Sequence, residues 1–238
     1  MTETEGLMPR AGMLNGIARG PSPMGPTAEA VGFDEVAMVD AVGLLSHWWS
    51  RPVAGEVATW AGAAGLEELL RAQTKTGPEP ALLAISGQED GLLDDFERLF
   101  VGPGPVPCPP YESFWREDVP IDIRRSLMGP CTAELRELYC ELGIEVAPGC
   151  GELPDHVAIE LEALGFALSS KVMHPIARSL WSEHLRHWLP RLCRAVAREA
   201  EARFYRELAQ LTVEWSTLLD SHLASQAGSA LTQGSGEG

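Results

Sequence analysis

What this 238-residue chain lacks narrows the field first. Its five cysteines, Cys108, Cys131, Cys140, Cys150 and Cys193, are widely and irregularly spaced, and no C-x-x-C pair is among them. A zinc ribbon or a thioredoxin-like redox site needs thiols a few residues apart, so neither is supported. No uninterrupted run of about 18 apolar residues occurs, and nothing reads as a membrane-spanning helix. An odd thiol count without a secretory leader pattern points to reduced cysteines and a cytoplasmic location. Basic residues are scarce: 18 Lys plus Arg stand against 34 Asp plus Glu, a formal net charge of −16. That balance argues against nucleic acid, whose phosphates call for clustered Lys and Arg. It suits a cationic partner, and it equally serves plain solubility. A period-2 strand pattern and a solenoid-length repeat are also missing, which leaves an all-α class.

What is present is a succession of helical signals between two poorly packing ends. Residues 1–32 and 225–238 are rich in small, turn-forming or polar residues, and they read as a flexible leader and a disordered tail. In "FDEVAMVDAVGLLSHWW" the residues Phe33, Val36, Ala37, Leu44 and Trp48 share a helical stripe that ends at Arg51-Pro52. "GEVATWAGAAGLEELLRA" repeats the pattern with Val57, Trp60, Ala61 and Ala64, and "EDGLLDDFERLF" places Leu92, Phe96, Leu99 and Phe100 on one face. "VGPGPVPCPP" cannot continue a helix and must turn or extend. Helical character returns at "CTAELRELYCELG", with Gly143 as its stop, and again after "ELPDH" in what reads as an amphipathic helix. It continues to about residue 222, with Pro190 at the start of a further helix. The expected architecture is one helical-bundle domain over 33–224 with about ten helices, as a single body or as two lobes joined by a hinge near 147–154.

Three places invite a functional reading. His156 and Glu160 are four apart, and His184 and His187 three apart, so two helices could bring them together around a metal. The His-Glu-x-x-His spacing is absent, however, so surface or capping histidines are the better reading and no metal is expected. Catalysis finds less support. Ser113 in "YESFW" lacks the G-x-S-x-G turn, and adjacent Asp155 and His156 point about 100° apart on a helix. No phosphate-binding Gly-Lys loop appears either, so neither catalytic residues nor a cofactor are expected.

In "ELPDH" a structural role is clear: Pro154 suits the first helical turn, and Asp155 suits its positive end. That leaves His156 unexplained. The loop "GPGPVPCPPYESF" is the third place, flanked by Phe100 on one side and by Tyr111, Phe114 and Trp115 on the other. Prolines and aromatics have little conformational freedom left to lose, as in peptide-binding grooves. Glu89, Asp90, Asp94, Asp95 and Glu97 would give such a groove an acidic edge.

"FERLFVGPG" followed by "PPYES", with "ELPDH" heading a helix about 40 residues on, resembles the TorD/DmsD/NarJ redox-enzyme maturation chaperones. The C-terminal "HLRHWLPRLCRAV" and "FYRELAQLTVEW" are similar to that family's last helices, so the resemblance runs over residues 33–222. It implies an all-helical, non-enzymatic, cytoplasmic chaperone that binds the twin-arginine signal peptide and the apoprotein of a molybdopterin-containing reductase or dehydrogenase. Such a chaperone assists cofactor insertion and delays export. The family motifs fall on Phe96, Leu99 and Phe100, on Pro109, Pro110, Tyr111, Glu112 and Ser113, and on Glu152, Asp155 and His156. Pro154 stands one place later than the proline of the family pattern. With Trp115 these residues make up the expected leader-binding and client-binding site, on a monomer or a domain-exchanged dimer. The alternatives are a general helical interaction module and a metal-dependent bundle enzyme built on His156, Glu160, His184 and His187.

Overall fold

The computed structural model describes residues 17–19, 33–52, 91–118, 120 and 127–233. The second expected helix, with Val57, Trp60, Ala61 and Ala64, and the acidic Glu89 and Asp90 lie outside the described residues. So does all of the expected leader apart from 17–19.

The described chain is mostly helical. Helix α1 (Phe33–Trp49) buries Met38, Ala41, Val42, Leu45, Trp48 and Trp49. Their spacing of three and four is that of one helical face. The face is turned in part from the one read in sequence: Trp48 is buried as expected, but Val36 is exposed and Leu44 only partly covered. Helix α2 (Leu92–Phe96) runs into a wider π turn (Glu97–Val101). Here the sequence reading holds, since Leu92, Phe96, Leu99 and Phe100 are all buried. The proline-rich loop then folds back, its Cys108 N–H donating to the Leu99 carbonyl.

A single turn, α3 (Glu112–Trp115), precedes α4 (Pro130–Leu142). Pro130 occupies the first turn of α4, and Gly143 stops it at φ 68°, a left-handed conformation that favours glycine. Two three-residue strands, β1 (Ile17–Arg19) and β2 (Ile144–Val146), pair antiparallel. They leave the all-helical class unchanged.

Helix α5 (Val157–Leu168) is the centre of the molecule. Eleven of its residues are buried, with Phe166 the exception. The stretch after "ELPDH" is therefore not amphipathic: α1 covers one side and the C-terminal helices others, so even Glu160 and Glu162 are inside. Gly165 permits this approach, for a Cβ there would meet Val42 Cγ1 at 2.9 Å.

A 3₁₀ turn (Lys171–Met173), α6 (His174–Ser179), a π segment (Leu180–Leu185) and α7 (Arg186–Glu199) follow almost without a break. Pro190 does not open a helix as expected but sits inside α7. A π segment lies just ahead of α7, and one of its carbonyls, that of Glu183, accepts from Arg116. Helix α8 (Arg203–Gln233) is long, and its backbone runs into the stretch expected to be tail. The helices are fewer than ten among the described residues, because neighbouring signals fuse into longer rods. One apolar cluster joins α1, α2, α4, α5, α7 and α8. Among the described residues no helix is long and apolar enough to cross a membrane.

Candidate functional site

Two of the sequence motifs meet. Tyr111 and His156 form an isolated antiparallel bridge, with Val157 N–H donating to the Pro110 carbonyl at 2.9 Å. Glu112 N–H donates to the Asp155 carbonyl at 2.9 Å, and Ser113 N–H to Asp155 Oδ2 at 3.3 Å. Asp155 thus serves the first two N–H groups of α3, distant in sequence, rather than the helix that begins two residues after it. That corrects the expectation drawn from "PDH". Pro154 is not helical either; it lies in the turn before α5, and its carbonyl accepts from Tyr139 Oη at 2.8 Å.

The residue the sequence left unexplained is the cap. His156 precedes α5 in extended conformation, and its Nδ1 accepts from Ala158 N–H at 3.1 Å. An accepting Nδ1 puts the proton on Nε2, which faces Glu152 Oε2 at 3.8 Å. Burial lowers the pKa of this imidazole, and the carboxylates of Glu152 and Asp155 only partly offset it. A neutral ring is what a helix N-terminus tolerates, so position and protonation agree. The Tyr111 ring stands edge-on to His156, with centroids 5.3 Å apart, and its hydroxyl donates to Glu152 Oε2 at 2.9 Å. Burial first, then Glu152, raises the Tyr111 pKa and keeps that hydroxyl a donor.

Behind this seam lies a buried polar cluster. Glu112 is fully enclosed and accepts from Arg116 Nη1 at 2.5 Å, with His184 Nδ1 at 2.9 Å on its other oxygen. Arg116 continues to Asp118 and to the Glu183 carbonyl. Burial opposes its charge, but the bonds to Asp118 and Glu112 outweigh that and raise its pKa. Glu160 accepts from Trp188 Nε1 at 3.3 Å through one oxygen, while its other finds no partner among the described residues. Burial, with Glu112 and Asp155 nearby, pushes the Glu160 carboxyl well above its usual range, so it holds its proton. Burial, joined by Glu112 and Asp155, likewise pushes the Cys131 thiol up to about 12.

The remaining expected site residues divide by depth. Phe96, Leu99 and Phe100 are core, with Phe100 packed edge-on against Trp49 and Tyr205 at 6.0 and 5.6 Å. Phe100 therefore does not flank the loop as an open aromatic. Pro110, Ser113 and Asp155 are buried, whereas Pro109, Tyr111, Trp115 and Glu152 reach the surface in part. Trp115 Nε1 donates to the Pro109 carbonyl at 2.7 Å and so holds the loop's last turn.

The acidic edge is thinner than the sequence suggested. Asp95 turns inward and accepts from the N–H groups of Glu201 and Ala202 at 3.0 and 2.7 Å, tying α2 to the start of α8. Glu97 pairs with Arg51, and Asp94 stays exposed. The four residues of the metal alternative do not converge: His156 caps α5, His184 faces Glu112, Glu160 takes Trp188 and His187 is exposed. Sequence reasoning missed Arg116. Its only signal was the spacing of four from Glu112, which the single turn of α3 turns into a salt bridge.

A family model described as "Nitrate reductase delta subunit" matches residues 61–194, which include this seam, its buried cluster and α5. The chain belongs to the nitrate reductase delta subunit family. Among curated proteins it is 32% identical over 123 residues to the Tat proofreading chaperone DmsD of Salmonella typhi, covering 52% of this chain and 57% of that relative. It is 30% identical over 131 residues to the DmsD of Salmonella paratyphi A, covering 55% and 61%. A probable Tat proofreading chaperone DmsD of Haemophilus influenzae matches at 24% over 140 residues, covering 59% and 66%. The matches thus span about six-tenths of those relatives' length. They place this delta-subunit relative in the maturation-chaperone group that its motifs resemble, and the relatives' names describe chaperones rather than enzymes.

Proposed function

We propose that this chain is a system-specific chaperone for a molybdenum-cofactor oxidoreductase, binding the twin-arginine leader and the apoprotein in the cytoplasm. It holds both until the cofactor is inserted and so delays export. The observation that carries this reading is the seam itself. Two family motifs 40 residues apart are locked by backbone and side-chain bonds around a capping histidine, yet Tyr111 and Glu152 keep accessible edges. A rigid floor with partly open aromatic and acidic groups suits reversible capture of a peptide that has arginines beside an apolar run.

Within that reading the expected site residues take two roles. Pro109, Tyr111, Trp115 and Glu152 form the contact layer, joined by the exposed Val101 and Leu93, while the enclosed Glu112 holds Arg116 and His184 behind it. Phe96, Leu99, Phe100, Pro110, Ser113, Asp155 and His156 support it from beneath. The similarity to proofreading chaperones supports the client class, and the net charge of −16 supports attraction of a basic leader.

The test is titration of a labelled twin-arginine leader peptide, with a Lys-Lys version and a scrambled apolar run as controls. Saturable binding that the scrambled run loses is the expected result. A chain that ignores every leader while still capturing the apoenzyme would refute leader binding and leave an apoenzyme-only chaperone.

A further inference from the structure

β2 follows α4 through Gly143 and leads directly into the segment ending at Glu152 and His156. Ile144 is buried as part of the apolar core cluster, while Glu145 is exposed. Among the described residues the strand paired with it is β1, from the far end of the chain. Their register sets Ile17 opposite Val146 and Arg19 opposite Ile144. β1 also packs beside α5, the helix that His156 caps.

An edge strand offers a row of N–H and C=O groups that any extended segment can complete, and this is a common mode of peptide capture. The segment now completing it reads Ile-Ala-Arg, apolar and basic, in a chain with nearly twice as many acids as bases. Arg10 and Arg19 are the sole basic residues in positions 1–32. Exposed Glu141 and Glu145 lie at and beside the paired edge.

We propose that the edge of β2 is a docking strand for an extended, apolar and arginine-bearing client segment, and that residues 17–19 occupy it as an internal competitor. This rests on the leader-binding reading and adds its regulation. A ladder of three residue pairs is short enough to open readily, so a client displaces it rather than unfolding anything. The cover lowers the apparent affinity by the fraction of molecules in which the edge is free.

The experiment compares the full-length chain with a full-length variant carrying Ile17→Pro, Ala18→Pro and Arg19→Pro, which cannot donate to the ladder. Helical circular dichroism checks that the fold persists. Leader affinity is read by titration, and hydrogen exchange is read at the amides of Ile144, Glu145 and Val146. If the edge is free in about one molecule in ten, the variant binds the leader about tenfold more tightly. Its β2 amides exchange quickly alone and slowly with peptide. A synthetic peptide of residues 10–24 competes with the leader on the variant. Arg19→Glu, which keeps the backbone donors, shifts affinity in the same direction by less.

Equal leader affinity for the two proteins overturns the inference and leaves leader binding standing. Tighter binding that leaves the β2 amides unprotected overturns it as well. If the variant's edge is free by exchange and still no leader binds, the leader-binding reading itself has failed, and the inference falls with it.

Discussion

At the scale of single residues, His156 joins the helix, the seam and the solvent-facing edge. Its imidazole caps α5, touches Tyr111 and faces Glu152, so truncation removes a cap and a packed ring together. His156→Ala is expected to cost about 1–3 kcal/mol by chemical denaturation, and His156→Asn less, because an amide oxygen can still accept from Ala158 N–H. The lowered pKa adds a pH signature. The unfolded chain takes up a proton near the usual 6.5 and the folded chain resists it, so stability falls as pH drops from there toward the lowered value. Glu160 acts in the opposite sense: the fold keeps a proton that the unfolded chain releases above 4.5, so stability falls as pH rises beyond that point. Stability measured between pH 4 and 8 should lose its acid-side slope in His156→Asn and its alkaline-side slope in Glu160→Gln. Unchanged slopes would mean that other groups set the pH dependence. The sequence marked His156 as unexplained but gave the helix start to Asp155, because the Ser113 N–H that Asp155 accepts instead lies 42 positions away and leaves the cap to His156.

At the scale of elements, the two decisive contacts are α1 on α5 and α2 on α8. Gly165 faces α1, and an added methyl would meet Val42 at 2.9 Å. Gly165→Ala should therefore destabilise by about 1–3 kcal/mol despite alanine's better helix propensity. Adding Val42→Ala should recover part of that loss in a double-mutant cycle; strict additivity would show that the two helices do not constrain each other there. Asp95 does for α8 what Asp155 does for α3, accepting two N–H groups at the turn into the helix. Asp95→Ala should cost about 1–2 kcal/mol and speed hydrogen exchange in the first turn of α8 ahead of the rest of that helix. Neither contact was legible in advance. A glycine inside a helical pattern and an aspartate in an acidic run each have several ordinary explanations, and only the partner element selects one.

At the scale of the whole molecule, the excess of acid over base acts on anything that approaches. Binding of a basic leader should weaken as salt rises, mainly through a slower association rate, since the Debye length shrinks from about 10 Å at 0.1 M to about 3 Å at 1 M. Stopped-flow association at several ionic strengths would show it, and a salt-independent rate would confine recognition to apolar contacts. Most of the fold class was legible because helical spacing is a local property: α2, α4 and the C-terminal helices follow from their apolar periods, Pro130 and Gly143. By itself the sequence determined an all-helical chain, where its proline-rich break falls, and which motifs resemble the family. Tertiary structure alone decided that α5 is enclosed on nearly all sides, that Pro190 lies within a helix, and that Phe100 is packed in the core rather than open beside the loop. The physical reason is the same in each case. Periodicity reports which residues avoid water, whereas which surface covers them, and which donor reaches a given carboxylate, depends on segments distant in the chain.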